Sequence, residues 1–480
     1  MLNNEAMIAL RAYQNQAPPI GGLFDDSVAR HLLVVLDVDT VDLGADDSAL
    51  LAGLLGHEAI EVYRFSDEGV PASAQTLDSN FWGSAPVGWL KVTRDEETSP
   101  FRSHGVLRSN GKSVRSSALS GDIVAAIARG IAEMRNEGLA MEYTPEALMV
   151  AAAEEIGADI LITRRQGLHS LRSTFVRGLT IVDVADAISI GGLFLRSRGE
   201  YSRAIFPQIT VDSNKTMFYE SSVSLFLPHQ IEILRRSQLL AADRKEPEAV
   251  RLAAAAFRRM SRSIERRDQI WQLICRPQDI DTAEDMLALY EALLTSLMGA
   301  IDATARLANT IYQLPVPMYL VAWQRKDWAK ELKLRASQLW SAYYEHPEHE
   351  FVLTTLRLLR NTIHAEGLES IAVSERHRVV ATWIEIPPSE GKEIAETASQ
   401  TADPDEWSIQ TTDGGRFYAD PGPMMDRLIL SILTLLADVQ LVLVADLRDL
   451  TVTPPLKNDT FLDAEAVDQA HRYLLGLGPV

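Results

Sequence analysis

The spacing of apolar positions changes character along this chain, and the change divides it. In the first two hundred residues the apolar runs are short and β-branched. HLLVVLDVDT at His31–Thr40, ADILIT at Ala158–Thr163 and LTIVDV at Leu179–Val184 each read as a buried strand. Between and after them lie helical patterns: Gly121–Asn136, a second helix opened by Thr144 as N-cap with Pro145 behind it, and Ala185–Arg196. Strands alternating with helices predict a parallel sheet covered on both faces. From Phe65 to Ser120 the period is weak and Gly, Pro and Ser recur, so this stretch is predicted as a mobile insertion.

Beyond His229 the period becomes helical. Gln230–Ala242, Pro247–Cys275, Thr282–Leu314, Asp327–Tyr344 and Phe351–Leu368 are predicted helices, punctuated by Pro277 and by Pro315-Val316-Pro317. No one of them buries its apolar stripe alone, so a bundle is the economical arrangement. The tail is mixed: a strand at Val379–Ile386, a turn-rich middle, a helix at Met424–Ala437, a strand-like VQLVLVADL and a last helix near Asp463–Leu475. The resulting partition is an α/β domain with a parallel sheet over 1–205, a linker or strand pair over 206–228, an all-α helical bundle over 229–376, and a small mixed α/β region over 377–480.

Composition narrows the class. With 46% hydrophobic and 23% charged residues in 480, the chain is an ordinary globular protein of several domains. Its single cysteine, Cys275, makes no internal disulfide, and a reducing cytoplasm is expected. The N-terminus lacks the pattern of a signal peptide. Leu428–Ala445 is apolar, but Asp438 and Gln440 interrupt it; a buried helix followed by a buried strand is expected, and no membrane partner. No Walker loop, dinucleotide fingerprint, zinc spacing or nucleophile elbow occurs, so no cofactor is expected.

A net charge of −20 argues against broad, non-specific nucleic-acid binding. The charge is uneven. Ile384–Val480 holds 17 acids against 6 Lys or Arg, a net of −11, and offers a surface for a protein partner. Basic residues gather at Arg102–Arg115, Arg164–Arg177, Arg196–Arg203 and Arg258–Arg267, which leaves room for a local RNA-binding groove or, more simply, for internal partners of the acids.

The chemistry concentrates in FVLTTLRLLRNTIHAEGL, Phe351–Leu368. On a helix Arg357, Arg360 and His364 fall within an arc of roughly 60°, with Asn361 at its edge. Val352, Leu356, Leu359 and Ile363 form the opposite, apolar face, and Gly367 is a C-terminal stop. Guanidinium groups bind phosphate bidentately and an imidazole moves protons near neutrality, a combination suited to metal-free RNA cleavage. The simpler alternative is solvated charge, with His364 satisfied by Glu366 or Glu369.

The run Leu359-Arg360-Asn361-Thr362-Ile363-His364 resembles the signature of HEPN domains, α-helical modules often found as metal-independent endoribonucleases in defence and toxin systems. The family's pattern is an Arg, four to six residues, then His, commonly with Asn after the Arg. Here three residues separate Arg360 from His364 and six separate Arg357 from it, so either arginine fits the family's part. The resemblance implies Arg360, Asn361, His364 and Arg357 as site residues, RNA as substrate, and a homodimer in which two such helices form one cleft. The paired charges call for a phosphate or an internal acid as counter-ion, and Asp285 and Glu291 on the Thr282 helix are the candidates for that acid.

The first half resembles PIN-type nuclease domains, which begin with a strand ending in a catalytic Asp. Asp37 and Asp39 stand at that place and are the candidate metal ligands, with Glu154, Glu155 and Asp159 as possible additions. At the second family position Thr163 leads into Arg164 and Arg165, so the site looks degenerate. The expected function is a HEPN-type endoribonuclease whose N-terminal half positions or senses nucleic acid. The alternatives are a non-catalytic scaffold of degenerate nuclease folds, and a metal-dependent nuclease using the N-terminal acids.

Overall fold

A computed structural model describes residues 23–24, 30–45, 48–70, 87–93, 101–107, 113–135, 144–165, 167–169, 179–206, 209–245, 247–276, 278–365, 367–375, 378–401, 407–412, 414–447 and 464–477. The expected N-terminal helical segment lies outside them.

The first half is built on β1, Leu32–Asp37, whose six residues are all buried. It is followed by α1 (Ala49–Leu55), β2 (Ile60–Phe65), β3 (Val87–Thr93), β4 (Phe101–Leu107), β5 (Ser113–Leu119), α2 (Gly121–Met134), α3 (Pro145–Glu155), β6 (Ile160–Ile162), β7 (Thr180–Val182) and α4 (Val184–Ser197). They make one seven-stranded sheet in the order β5-β4-β3-β2-β1-β6-β7. The strands β3-β2-β1-β6-β7 run parallel, whereas β4 and β5 extend the edge antiparallel. The expected parallel α/β architecture is present. The region read as a mobile insertion holds three strands, β3 to β5, and the Ser, Gly and charged residues within them break the apolar alternation that would have marked them.

Alternation along β1 divides the core. Leu32, Val34 and Leu36 face α1 and α4, while Leu33 and Val35 face α2 and α3. Among the described residues, only the first of these faces continues into the rest of the molecule, as a single apolar cluster that runs from Leu32 to the helices of the second half. Residues 206–228 are therefore no extended linker. They hold the second strand of a hairpin, β8 (Tyr201–Phe206) with β9 (Ile209–Ser213), and then α5 (Lys215–Phe226), capped by Asn214 and packed on the bundle.

The bundle comprises α6 (Gln230–Arg244), α7 (Glu248–Ile274), α8 (Ile280–Tyr312), α9 (Lys326–Arg335), α10 (Ser337–Tyr344) and α11 (Pro347–Ala365). The predicted Asp327–Tyr344 helix is broken in two at Ala336, whose φ of −144° and ψ of 59° are not helical; Trp328, Leu332, Leu339 and Tyr343 on either side are core, as their spacing implies. The tail adds β10 (Glu369–Glu375), β11 (Arg378–Ile386), α12 (Pro388–Thr401), β12 (Ile409–Thr411), β13 (Phe417–Ala419), α13 (Pro421–Asp446) and α14 (Ala464–Leu475). Its strands form an antiparallel sheet in the order β10-β11-β13-β12.

The strand expected at VQLVLVADL is instead the last part of α13. Val439, Leu443 and Leu447 recur at helical spacing on its buried side, and that burial outweighs the strand preference of the valines. Two helices, α8 and α13, are long and apolar enough to cross a membrane by length and composition. The polar interruptions of α13 are contacts within the fold: Gln440 donates to Gln230 of α6 at 2.6 Å, and Asp438 faces His349 of α11 at 3.4 Å.

Charge is also buried where the halves meet. Arg196 of α4 donates to Asp268 of α7 at 2.6 Å, Arg267 binds Asp426 of α13 through two nitrogens, and Tyr219 and Trp271 add donors to the two carboxylates. Both guanidiniums also donate to carbonyls at the end of α14, those of Leu474, Leu475 and Gly476, where cations suit a helix C-terminus. Two members of the basic runs are thus internal partners, which accounts for them without any ligand.

Candidate functional site

Two places carry clustered charge, and they are built differently. The first is the C-terminal edge of the parallel strands, the side on which open α/β sheets bind ligands. Asp37 ends β1 fully buried. It accepts from Thr40 Oγ1 at 2.8 Å, from Thr163 Oγ1 at 2.7 Å, and from Arg165 Nε at 2.7 Å and Nη2 at 3.1 Å. Burial pushes the Asp37 carboxyl up, but these hydrogen bonds and the charge of Arg165 outweigh it and hold the group below the usual carboxylate range.

Asp39 lies two residues on, accepting from Ser66 Oγ at 2.8 Å and the Asp67 amide at 2.7 Å. Arg165 also spans to Asp67, at 2.9 and 3.0 Å, and reaches Asp39 at 3.5 Å. One guanidinium therefore sits among three carboxylates, and burial opposes but does not prevent a rise in its own pKa from Asp37 and Asp67. Asp67 was not among the sequence candidates, although its place just beyond β2, the neighbour of β1, is the signal that would have found it. Asp159 is not part of this set. It opens β6 at the opposite edge, where Arg30 holds it through both carboxylate oxygens at 2.7 and 3.0 Å, and Glu154 and Glu155 end the helix leading to that same edge. Among the described residues no group of three or more His, Cys, Asp or Glu is arranged to hold a metal ion.

The second place is α11. The apolar face of its middle is sunk in the core, with Phe351, Val352, Leu353, Thr355, Leu356, Leu358 and Leu359 all buried between α8, α12 and α13. Arg357 and Arg360 are half-buried, while Asn361 and His364 are exposed, so the helix emerges with its predicted polar face outward. The helix stops as expected: Gly367 takes a φ of +86°, which a Cβ would oppose, and its N–H reaches the Thr362 carbonyl at 3.2 Å. The next amide, that of Leu368, donates to Glu291 Oε1 at 3.1 Å. Glu291 is thus a fastener for the end of the helix, and Asp285 is exposed on α8.

The acid that lies near Arg360 is Asp302, which antiparallel packing of α8 on α11 brings opposite it. Burial pushes the Asp302 carboxyl above its usual range, against the pull of Arg306, Arg360 and Arg259. Arg259, from α7, lies across α8 at Gly299: a Cβ there would fall 1.3 Å from its Nη1, so a larger residue would require the guanidinium to move aside. Beside it, burial and the neighbouring charge of Arg262 push the Arg266 guanidinium down, and Arg266 donates to Ser296. Arg258–Arg267 therefore splits: Arg267 is internal, whereas Arg259, Arg262 and Arg266 join Arg306 and Arg360 on a basic surface across α7, α8 and α11. The side chains of Arg102–Arg115, most of those in 166–177, and that of Glu366 lie outside the described residues.

No family model matches this chain, and no curated protein or solved structure matches it. What the second arrangement can do chemically therefore rests on its own groups. Arg360 and His364 stand one helical turn apart, with a fixed cation to hold an anion and an accessible imidazole to take or give a proton. Arg357 differs from them: its Nη2 donates to Glu393 of α12 at 3.1 Å, so one side of its guanidinium is already engaged.

Proposed function

We propose that the helical half is a metal-independent endoribonuclease of HEPN type and that the N-terminal half, PIN-like in kind, positions or senses nucleic acid. The observation that carries this reading is that Arg360 and His364 stand together on the outward face of a helix whose apolar face is buried, beside further helix-borne arginines, in a protein of net charge −20. In this reading His364 takes the proton of a ribose 2′-hydroxyl as that oxygen attacks the adjacent phosphorus. The 5′-oxygen leaves with a proton, and Arg360 offsets the charge that builds on the phosphorane. The products are a 2′,3′-cyclic phosphate and a 5′-hydroxyl. The resemblance also proposes a homodimer that pairs two such helices around one phosphate.

The test is incubation of the full chain with mixed RNA in EDTA, beside a His364→Ala variant of equal melting temperature and oligomeric state. Cleavage by the parent and not by the variant is expected. Cleavage that needs magnesium or manganese and ignores the substitution would move the chemistry to Asp37 and Asp39. A second reading, a non-catalytic scaffold, is favoured by Arg165: it supplies from within the chain the positive charge that the strand-end acids would otherwise draw from a ligand. RNA binding with no cleavage under either condition is its expected result.

A further inference from the structure

The stripe of α11 that carries the arginines also forms one wall of a cavity of about 630 Å³, a volume within the range of about 300–1,000 Å³ typical of small-molecule sites. Glu350, Thr354 and Arg357 follow one another along that stripe, and the opposite wall is the turn that enters α9. Three cations converge on it: Arg325, Lys326 and Arg357. Arg325 and Lys326 are exposed and make no side-chain hydrogen bond or ion pair among the described residues, and only one nitrogen of Arg357 is taken, by Glu393. Glu350 is the sole acid in the wall, so the cavity is cationic on balance.

The remainder is aromatic. Trp323 and Tyr343 are buried and stack with ring centroids 4.4 Å apart; they back the half-buried Tyr344, which is fixed by donating to the Trp323 carbonyl, so this side is rigid before any ligand arrives. A cationic end beside the preformed ring of Tyr344 fits a ligand with a phosphate at one end and a flat ring at the other. Glu350 and Thr354 add an acceptor and a hydroxyl to the lining, suited to the hydroxyls of a ribose.

The geometry points to a binding site for a nucleoside phosphate in this cavity, held by Arg325, Lys326 and Arg357. The site goes beyond the cleavage reading and stands whether or not α11 cuts RNA. The ligand is either a free nucleotide or the phosphorylated end of an RNA chain.

Calorimetric titration of the full-length protein separates these cases. The probes are the four nucleoside 5′-monophosphates, inorganic phosphate, and a 5′-phosphorylated, 2′-O-methylated tetranucleotide that cannot be cleaved through its 2′-oxygen. Saturable binding of at least one monophosphate or of the tetranucleotide is expected, at least tenfold tighter than inorganic phosphate. It should weaken tenfold or more in the surface double variant Arg325→Ala/Lys326→Ala and in Ala329→Trp, which fills the space. Tenfold preference for the tetranucleotide would assign the site to an RNA end, and equal or better binding of the monophosphate to a free nucleotide. Equal binding of inorganic phosphate, indifference to the double variant, or no saturable binding of any probe would overturn the proposal. Because none of these readouts involves cleavage, an inactive nuclease would leave the outcome legible.

Discussion

The strand-end acids and the arginine-histidine helix are both charged clusters at the end of a buried element, yet they resolve their charge in opposite ways. At the end of β1 the carboxylates of Asp37 and Asp67 meet Arg165 within 3.1 Å, and two threonine hydroxyls complete the shell of Asp37. On α11 the neighbouring charges are mostly alike. Arg259, Arg306 and Arg360 share one half-buried acid, Asp302, whose ionisation burial itself opposes. A buried charge set that is complete within the chain contributes to the fold and has little left to offer a ligand. A cationic set left incomplete draws in an anion, and this difference separates the two halves more sharply than their architecture does.

The largest effect that would break the comparison is kinetic. If the incomplete set is the working one, His364→Ala should lower RNA cleavage in EDTA by about 10²–10⁴-fold, the usual contribution of a positioned acid-base group. Asp37→Asn should leave that rate unchanged, measured on the same RNA with both variants folded. The reverse pattern would show that the complete set is the functional one.

The next effect is on stability. Arg165→Ala leaves Asp37 buried with only hydroxyl and amide donors, and removing one partner of a buried pair costs about 3–5 kcal/mol. Urea unfolding followed in the α/β half should show that loss, whereas Arg360→Ala, at a half-buried position facing Asp302, should cost far less. A loss below about 1 kcal/mol for Arg165→Ala, the level of a surface pair, would mean that the strand-end set is not structural.

How much of this could be read beforehand follows from where each signal resides. The apolar period of Phe351–Leu368 and its Gly367 stop located α11 and its outward face, because those depend on residues within two turns of one another. Asp37 and Arg165 were each visible as the polar end of a strand-like run. Their direct bond was not, since it depends on β6 lying beside β1, as was the role of Asp67, which depends on β2 lying on the other side. Asp302 was missed for the same reason: it stands far along α8 from Asp285 and Glu291, and only the antiparallel packing of α8 on α11 brings it to Arg360. The strands within Phe65–Ser120 and the helical end of α13 escaped because pairing at a sheet edge and burial of one helix face override local preference.

Acid sharpens the contrast, because the two regions should weaken at different pH. The Asp37 carboxyl is held below its usual value of 3.8, so the stability it contributes is present above 3.8 and lost as the pH falls through its lower folded value. His349, at the start of α11, is pushed below its usual 6.5 by burial, against the pull of Asp438 and the Tyr343 carbonyl. It is neutral in the fold, so its contribution is present above 6.5 and lost as the pH falls from there through the folded value. Melting curves between about pH 7 and 3 should show an early loss that His349→Gln removes and a late loss that Arg165→Ala reduces. A single acid transition indifferent to both substitutions would show that neither group sets the acid response.

The smallest expected effect concerns Arg357, which stands between the two kinds of cluster. Its partner Glu393 is about half exposed, and exposed ion pairs contribute about 0–1 kcal/mol, so Glu393→Ala should barely move the unfolding midpoint. The same substitution releases a guanidinium next to Arg360 and beside the cavity. If the anion-seeking character of this surface is real, the released Arg357 should engage one more phosphate and steepen the salt dependence of RNA binding by about 0.7 in log–log slope. An unchanged slope with unchanged stability would assign Arg357 to solvent rather than to the site. A stability loss beyond about 2 kcal/mol, more than an exposed pair supplies, would instead place Arg357 and Glu393 with the internally completed charges of the strand ends.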